Sequence, residues 1–127
     1  MHLLTIIHLQ SCFLKQDRTT TVYGTITDQN GEPVDSILVL ASGVEYNRET
    51  TLKEEYSDKS GNYEMVVDVP KNFYSASSLI PALPTKNPKF EKLYLNYEVF
   101  KNGNPTNNCC NAIIGEKTRY DFQLNPK

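Results

Sequence analysis

Histidine is scarce in this chain of 127 residues, tryptophan is absent, and cysteine occurs three times. His2 and His8 both lie within the first ten residues, so the remainder has no imidazole for a nucleophile–base relay or a histidine-containing zinc site. Positive charge is also not in excess. Thirteen Lys and Arg against 15 Asp and Glu give a net charge of -2, and no basic run breaks that balance. Nucleic acid is therefore excluded as a partner, because binding it depends on cations that displace phosphate counter-ions. No apolar run approaches the roughly 20 residues that cross a bilayer as a helix, and no repeat recurs at solenoid or propeller periods. What remains is globular: 39% hydrophobic and 22% charged residues, in a length that suits one domain.

The opening stretch, LLTIIHLQSCFLKQD, carries a short apolar run at 3–9 that ends in Leu9, Gln10, Ser11 and Cys12. The Leu-x-Ser-Cys pattern resembles a bacterial lipobox. That resemblance implies cleavage before Cys12 and a lipid on its thiol, with two or more acyl chains giving stable anchorage. Residues 1–11 are then a signal peptide, 12–20 a polar tether, and 21–127 the folded domain. The expected location is the cell envelope of a Gram-negative bacterium, as an outer-membrane lipoprotein facing the periplasm or the surface. Met1 and His2 supply no basic n-region and Gln10 is bulky for its place. The competing reading makes 3–13 a strand or an ordered arm.

From Thr21 the apolar residues recur with period two, the mark of strands. Val22 and Ile26 share a face across Gly24, and DQNGEP follows as a hairpin turn. Residues 37–41 are apolar on both faces, as in a central strand. Residues 43–57 fit neither the strand nor the helix period. After the turn DKSG, Tyr63, Met65, Val67 and Val69 alternate with Glu64, Val66 and Asp68 until Pro70. The alternation returns at Leu93, Leu95, Tyr97 and Val99, and again at Tyr120, Phe122 and Leu124. The predicted core is Val22, Ile26, Ile37, Val39, Tyr63, Met65, Val67, Leu95, Phe122 and Leu124. Residues 71–90 show no strand period and read as an inserted loop.

The blocks VYGTITDQNGEPVDSILVL and YSDKSGNYEMVV resemble the carboxypeptidase regulatory-like domain. Val22, Gly24, Ile26, Asp28, Gly31, Pro33 and Val34 match its first motif, and Asp58, Gly61 and Tyr63 its second; Ser57 replaces the usual Thr and Ile37 the usual Ala. The resemblance implies an all-β, prealbumin-like (transthyretin-like) antiparallel β-sandwich of about seven strands. It further implies a non-catalytic role, since the family's domains mostly stabilise a larger protein or mediate contacts. The matching residues are fold-makers. Gly31 and Gly61 suit positive φ, and Asp28 and Asp58 suit bonds to backbone amides just ahead of them. The one enzyme of this fold that comes into question, hydroxyisourate hydrolase, uses histidines that this chain lacks.

The remaining constellations favour binding over catalysis. Asp58, Ser60, Asn62 and Glu64 alternate like the start of a calcium loop, but the twelfth position holds Val69 instead of a bidentate Glu, so a turn is the better reading. Glu54 and Glu55 are adjacent, which on a strand sends them to opposite faces rather than to one substrate. Cys109 and Cys110 are candidates for a strained vicinal disulfide, with a structural role preferred to a redox one. In the loop, Phe73, Tyr74, Leu79, Ile80, Leu83 and Phe90 are candidates for contact with a partner. No metal, cofactor or catalytic residue is expected. The leading expectation is a lipid-anchored envelope protein whose sandwich binds another envelope protein. The rivals are a carbohydrate-binding module and a small thiol/disulfide-dependent protein using Cys109 and Cys110.

Overall fold

The alternation that begins near Val22 is one ten-residue strand, β1 (Thr19–Asp28), whose burial changes residue by residue. The computed structural model describes residues 18–45, 48–70, 78–106 and 110–127. Along these run β2 (Leu38–Glu45), β3 (Arg48–Tyr56), β4 (Asn62–Asp68) and β5 (Ser78–Ala82). A six-residue helix, α1 (Pro88–Leu93), precedes β6 (Tyr94–Lys101), β7 (Asn104–Pro105), β8 (Ala112–Ile113) and β9 (Lys117–Pro126). They form a five-stranded sheet ordered β4-β1-β9-β6-β7 and a four-stranded sheet ordered β3-β2-β5-β8. The protein is all-β. Only β7 and β8, of two residues each, fall short of five residues.

The two sheets share one core. Val22, Ile26, Met65, Val67, Phe122 and Leu124 enter it from the larger sheet, and Val39, Ala41 and Ala112 from the smaller. A chain of ring contacts, Tyr63 to Phe122 to Tyr97 to Phe90, runs through it. As expected, β2 is interior to its sheet, between β3 and β5. The described residues of the stretch 43–57, which fits neither period, continue β2 and supply β3. That strand is exposed along nearly its whole length, with Leu52 alone half-buried, so no apolar period marks it.

Several expectations are corrected. The sheets are not wholly antiparallel: β1 runs parallel to β9, in register from Thr21 opposite Lys117 to Asp28 opposite Leu124. A parallel pair needs a long crossover, and here everything between the first strand and the last supplies it. The turn after β1 forms, but the chain then crosses to the other sheet, and only Thr27 opposite Pro33 survives as a bridge. The domain begins before the expected boundary at 21. Thr20 is fully buried and Arg18 Nε donates to Val69 O at 3.0 Å, so the end of the supposed tether is strand.

Leu95 is not core but 67% exposed. The pairing of β6 with β9 shifts between Tyr94, opposite Pro126, and Asn96, opposite Asn125, which leaves Leu95 as the extra residue of a bulge. One extra residue reverses the phase, so Tyr94 and Tyr97 pack against the core and Leu95 turns out.

The inserted loop is largely fold. Its described part, from residue 78 onward, holds β5, paired with both β2 and β8, and the first half of α1. Pro81 is fully buried and Leu83 belongs to the core. Asn87 is fully buried too. Its side chain accepts from Leu38 N at 3.0 Å and donates to Leu38 O at 2.9 Å, a side-chain amide in the place of a strand neighbour. Three prolines hid the strand period of this segment.

Candidate functional site

The two motif turns are copies of each other. Asp28 Oδ1 accepts from the amides of Asn30 and Glu32 at 2.8 and 3.0 Å, and Asp58 Oδ1 from those of Ser60 and Asn62, both at 2.9 Å. Each aspartate's carbonyl also accepts from its glycine, Gly31 or Gly61. The Asp58 carboxylate is thus engaged by its own turn, the reading preferred over a calcium loop. The turns abut. Ile26 N donates to Gly61 O at 2.7 Å, and a Cβ on Gly61 would stand 2.5 Å from Ile26 O and 3.0 Å from Pro33 Cβ. With φ at +75°, Gly61 is required twice over.

Gly24 has a different task. A Cβ there would lie 1.8 Å from the carbonyl oxygen of Tyr120, so β9 approaches β1 at a distance only glycine allows. The Tyr63 hydroxyl donates to that same carbonyl. Burial first, then the charge of Asp121, pushes the Tyr63 phenol well above the usual tyrosine range, with Arg119 opposing, so it stays protonated as a donor. One residue further on, Asp121 Oδ1 accepts from Thr25 N at 2.7 Å and from Thr25 Oγ1 at 3.0 Å. Arg119 Nε completes the knot at 3.0 Å from Asp121 Oδ2.

Over this knot lies an open groove of about 630 Å³. Tyr23 and Thr25 of β1, Glu64 of β4 and Arg119 of β9 line it from the larger sheet, and Glu55 and Tyr56 of β3 from the smaller. Gly24, Asp58, Asn62 and Tyr63 complete the lining. Tyr56 is 53% exposed, and Lys117 Nζ lies 4.7 Å from the centre of the Tyr23 ring. Three carboxylates line the groove (Glu55, Asp58, Glu64) against the single guanidinium of Arg119, which is already engaged by Asp121. The groove is acidic. Such a surface can hold a cationic or hydroxyl-rich ligand. Among the described residues no group of three His, Cys, Asp or Glu is placed to hold a metal ion.

The residues singled out from the sequence are scattered. Cys12, Phe73, Tyr74 and Cys109 lie outside the described residues, and for Leu79 only the backbone pairing with Ala112 is described. Ile80 is half-buried opposite Ser42; Leu83 is core; Phe90 stacks on Tyr94 and meets Tyr97 edge-on. Leu83 and Phe90 thus pack in or against the core. Cys110 is disulfide-bonded and 3% exposed. Glu54 and Glu55 are exposed on β3. The groove itself was missed by sequence reasoning. Its signal was present in the outward phase of the motif strands, at Tyr23, Thr25 and Glu64, but nothing in a period shows that β3 closes over them.

No family model matches the chain, and no curated protein does. Among solved structures it is similar to a 9R-lipoxygenase from Cyanothece PCC8801, at 16% identity and a TM-score of 0.43, over 95% of this chain and 20% of that one. The chain spans about a fifth of that protein's length, and a likeness this slight decides neither fold nor activity.

Proposed function

We propose that this chain is a non-catalytic, lipid-anchored envelope domain of the carboxypeptidase-regulatory-like kind, and that it binds another envelope protein through the acidic groove. The observation that carries the reading is a division of labour along the motif strands. Val22, Ile26, Asp28 and Gly61 are used in core and turns, and Gly24 and Tyr63 hold β9 close while also lining the groove, so that the neighbours Tyr23, Thr25 and Glu64 supply it with side chains the motifs leave open. A scaffold whose matching residues all hold the fold leaves the intervening positions to select a partner. The charge of the groove favours a basic segment on that partner. The disulfide at Cys110 supports an oxidising compartment. The prealbumin-like topology belongs to this same proposal, supported by the two sheets and the matched turns.

Thiol arithmetic tests the anchor. With three cysteines and Cys110 in a disulfide, one thiol remains, on Cys12 or Cys109. A Cys12→Ser chain that keeps its disulfide and titrates no thiol leaves Cys12 available for lipid. Two thiols in that variant would mean that Cys12 pairs with Cys110, and lipidation would be refuted. Incorporation of labelled palmitate by the wild type, lost in the variant, completes the test. For the groove, crosslinking in the native host should capture a partner whose yield falls in Glu55→Lys/Glu64→Lys and at high salt, but not in Leu95→Ala. A salt-insensitive shift of tyrosine fluorescence with neutral glycans, lost in Tyr56→Ala, would instead establish the carbohydrate reading.

A further inference from the structure

The chain contains two Asn-Gly pairs, Asn30–Gly31 and Asn102–Gly103, both exposed and both in tight turns. Chemically they are alike, since in each an asparagine amide precedes a nitrogen that no side chain shields. Structurally they are opposites. At the first pair the Gly31 nitrogen donates to Asp28 O at 3.0 Å, and the amides on either side, of Asn30 and Glu32, are both held by Asp28 Oδ1. The whole turn is also packed against the second motif turn through Pro33 and Gly61.

At the second pair the turn is held from its flanks, by Asn102 N on Arg119 O at 3.1 Å and Thr106 N on Val99 O at 3.0 Å, and not at its glycine. Asn102 and Gly103 both have positive φ, 50° and 85°, the geometry of a two-residue hairpin turn between β6 and β7. That hairpin has two residue pairs, Phe100 with Pro105 and Lys101 with Asn104, and Pro105 has no N–H to give. A ladder this short opens at small cost. Among the described residues no hydrogen bond holds the Gly103 nitrogen, and a Cβ on Gly103 would meet nothing within 4 Å. Solvent reaches both the amide and the nitrogen.

We propose that Asn102 is a site of spontaneous, non-enzymatic modification, at which the Gly103 backbone nitrogen converts the asparagine to aspartate and isoaspartate through a succinimide. The Gly103 nitrogen loses its proton to solvent and bonds to Asn102 Cγ, and the side-chain nitrogen leaves as ammonia. Water then adds to either ring carbonyl and breaks one of the two C–N bonds, giving a carboxylate. No oxidant or reductant enters. The product carries one more negative charge, and in its iso form one more methylene in the backbone. That lengthening enters on the Gly103 side of Asn102, next to the residue whose amide bonds Arg119 O of β9 at 3.1 Å.

The test uses the folded full chain, held for days at mildly alkaline pH and body temperature and then mapped by peptide mass spectrometry. The expected result is the mass gain of NH2 replaced by OH on the peptide holding Asn102, as an aspartate and isoaspartate pair. It should appear several-fold faster there than on the peptide holding Asn30. In concentrated urea the two sites should convert at similar rates, because only the fold distinguishes them. Equal rates in the folded chain, or no conversion at Asn102 while both sites convert in urea, would overturn the proposal.

Discussion

Replacing Asn87 by alanine tests the most specific feature of the smaller sheet. Asn87 is fully buried, and its side-chain amide satisfies both the N–H and the C=O of Leu38, at 3.0 and 2.9 Å. Asn87→Ala removes both partners at once, leaving one buried donor and one buried acceptor. Each such orphan costs about 1 to 3 kcal/mol, so the variant should lose roughly 2 to 6 kcal/mol. That is a large share of the 5 to 15 kcal/mol by which a domain is typically stable. Asn87→Asp is the informative companion, since it keeps an acceptor for Leu38 N but sets an oxygen against Leu38 O, and should be at least as damaging. The assay is urea unfolding followed by circular dichroism, with the slope compared between variants so that a midpoint shift reads as stability. A loss below about 1 kcal/mol in Asn87→Ala would mean that water replaces the amide, and the view of Asn87 as a surrogate strand residue would fail.

Other outcomes follow from the core and the strand contacts. Gly24→Ala should cost at least about 3 kcal/mol, because its methyl would collide with backbone rather than with a movable side chain; a mild effect in thermal melts would show that β1 and β9 can separate freely. Leu124→Ala should cost about 2 to 5 kcal/mol while Leu95→Ala costs close to nothing, and equal losses in urea would refute the bulge. The Tyr63 phenol is raised above its unfolded value of 10.0, so the stability it contributes is fully present below that pH and is lost as pH climbs beyond it. Burial also raises Tyr97, so absorbance titration should show Tyr63 among the late-ionising tyrosines, and Tyr63→Phe should shrink the step that accompanies alkaline unfolding by one tyrosine; a Tyr63→Phe titration with an undiminished late step would contradict the assignment.

How much of this was legible in the sequence depended on which face a residue served. Strands with one wet and one dry face, as at Val22 to Ile26 and Tyr120 to Leu124, declare themselves by alternation, and the two aspartate–glycine turns by their residue types. The edge strand β3 is wet on nearly every side chain and so has no period to read. Leu95 was misplaced because a bulge moves the phase by one residue without leaving a trace in composition. Residues 78–90 read as part of a loop because their prolines interrupt the pattern, although Pro81 sits buried in a strand. The groove depends on two sheets meeting, and no local signal encodes that.

The parallel pairing of the first strand with the last has a consequence in time. Thr21 lies opposite Lys117, so the centre of the larger sheet joins residues separated by nearly the whole chain. Until β9 has left the ribosome, β1 has only β4 beside it, and the side of β1 that β9 will occupy stays open. Closure must wait for β9, which makes folding slow for the length and sensitive to any truncation that removes that strand. A chain built this way keeps the middle of its larger sheet open until β9 arrives.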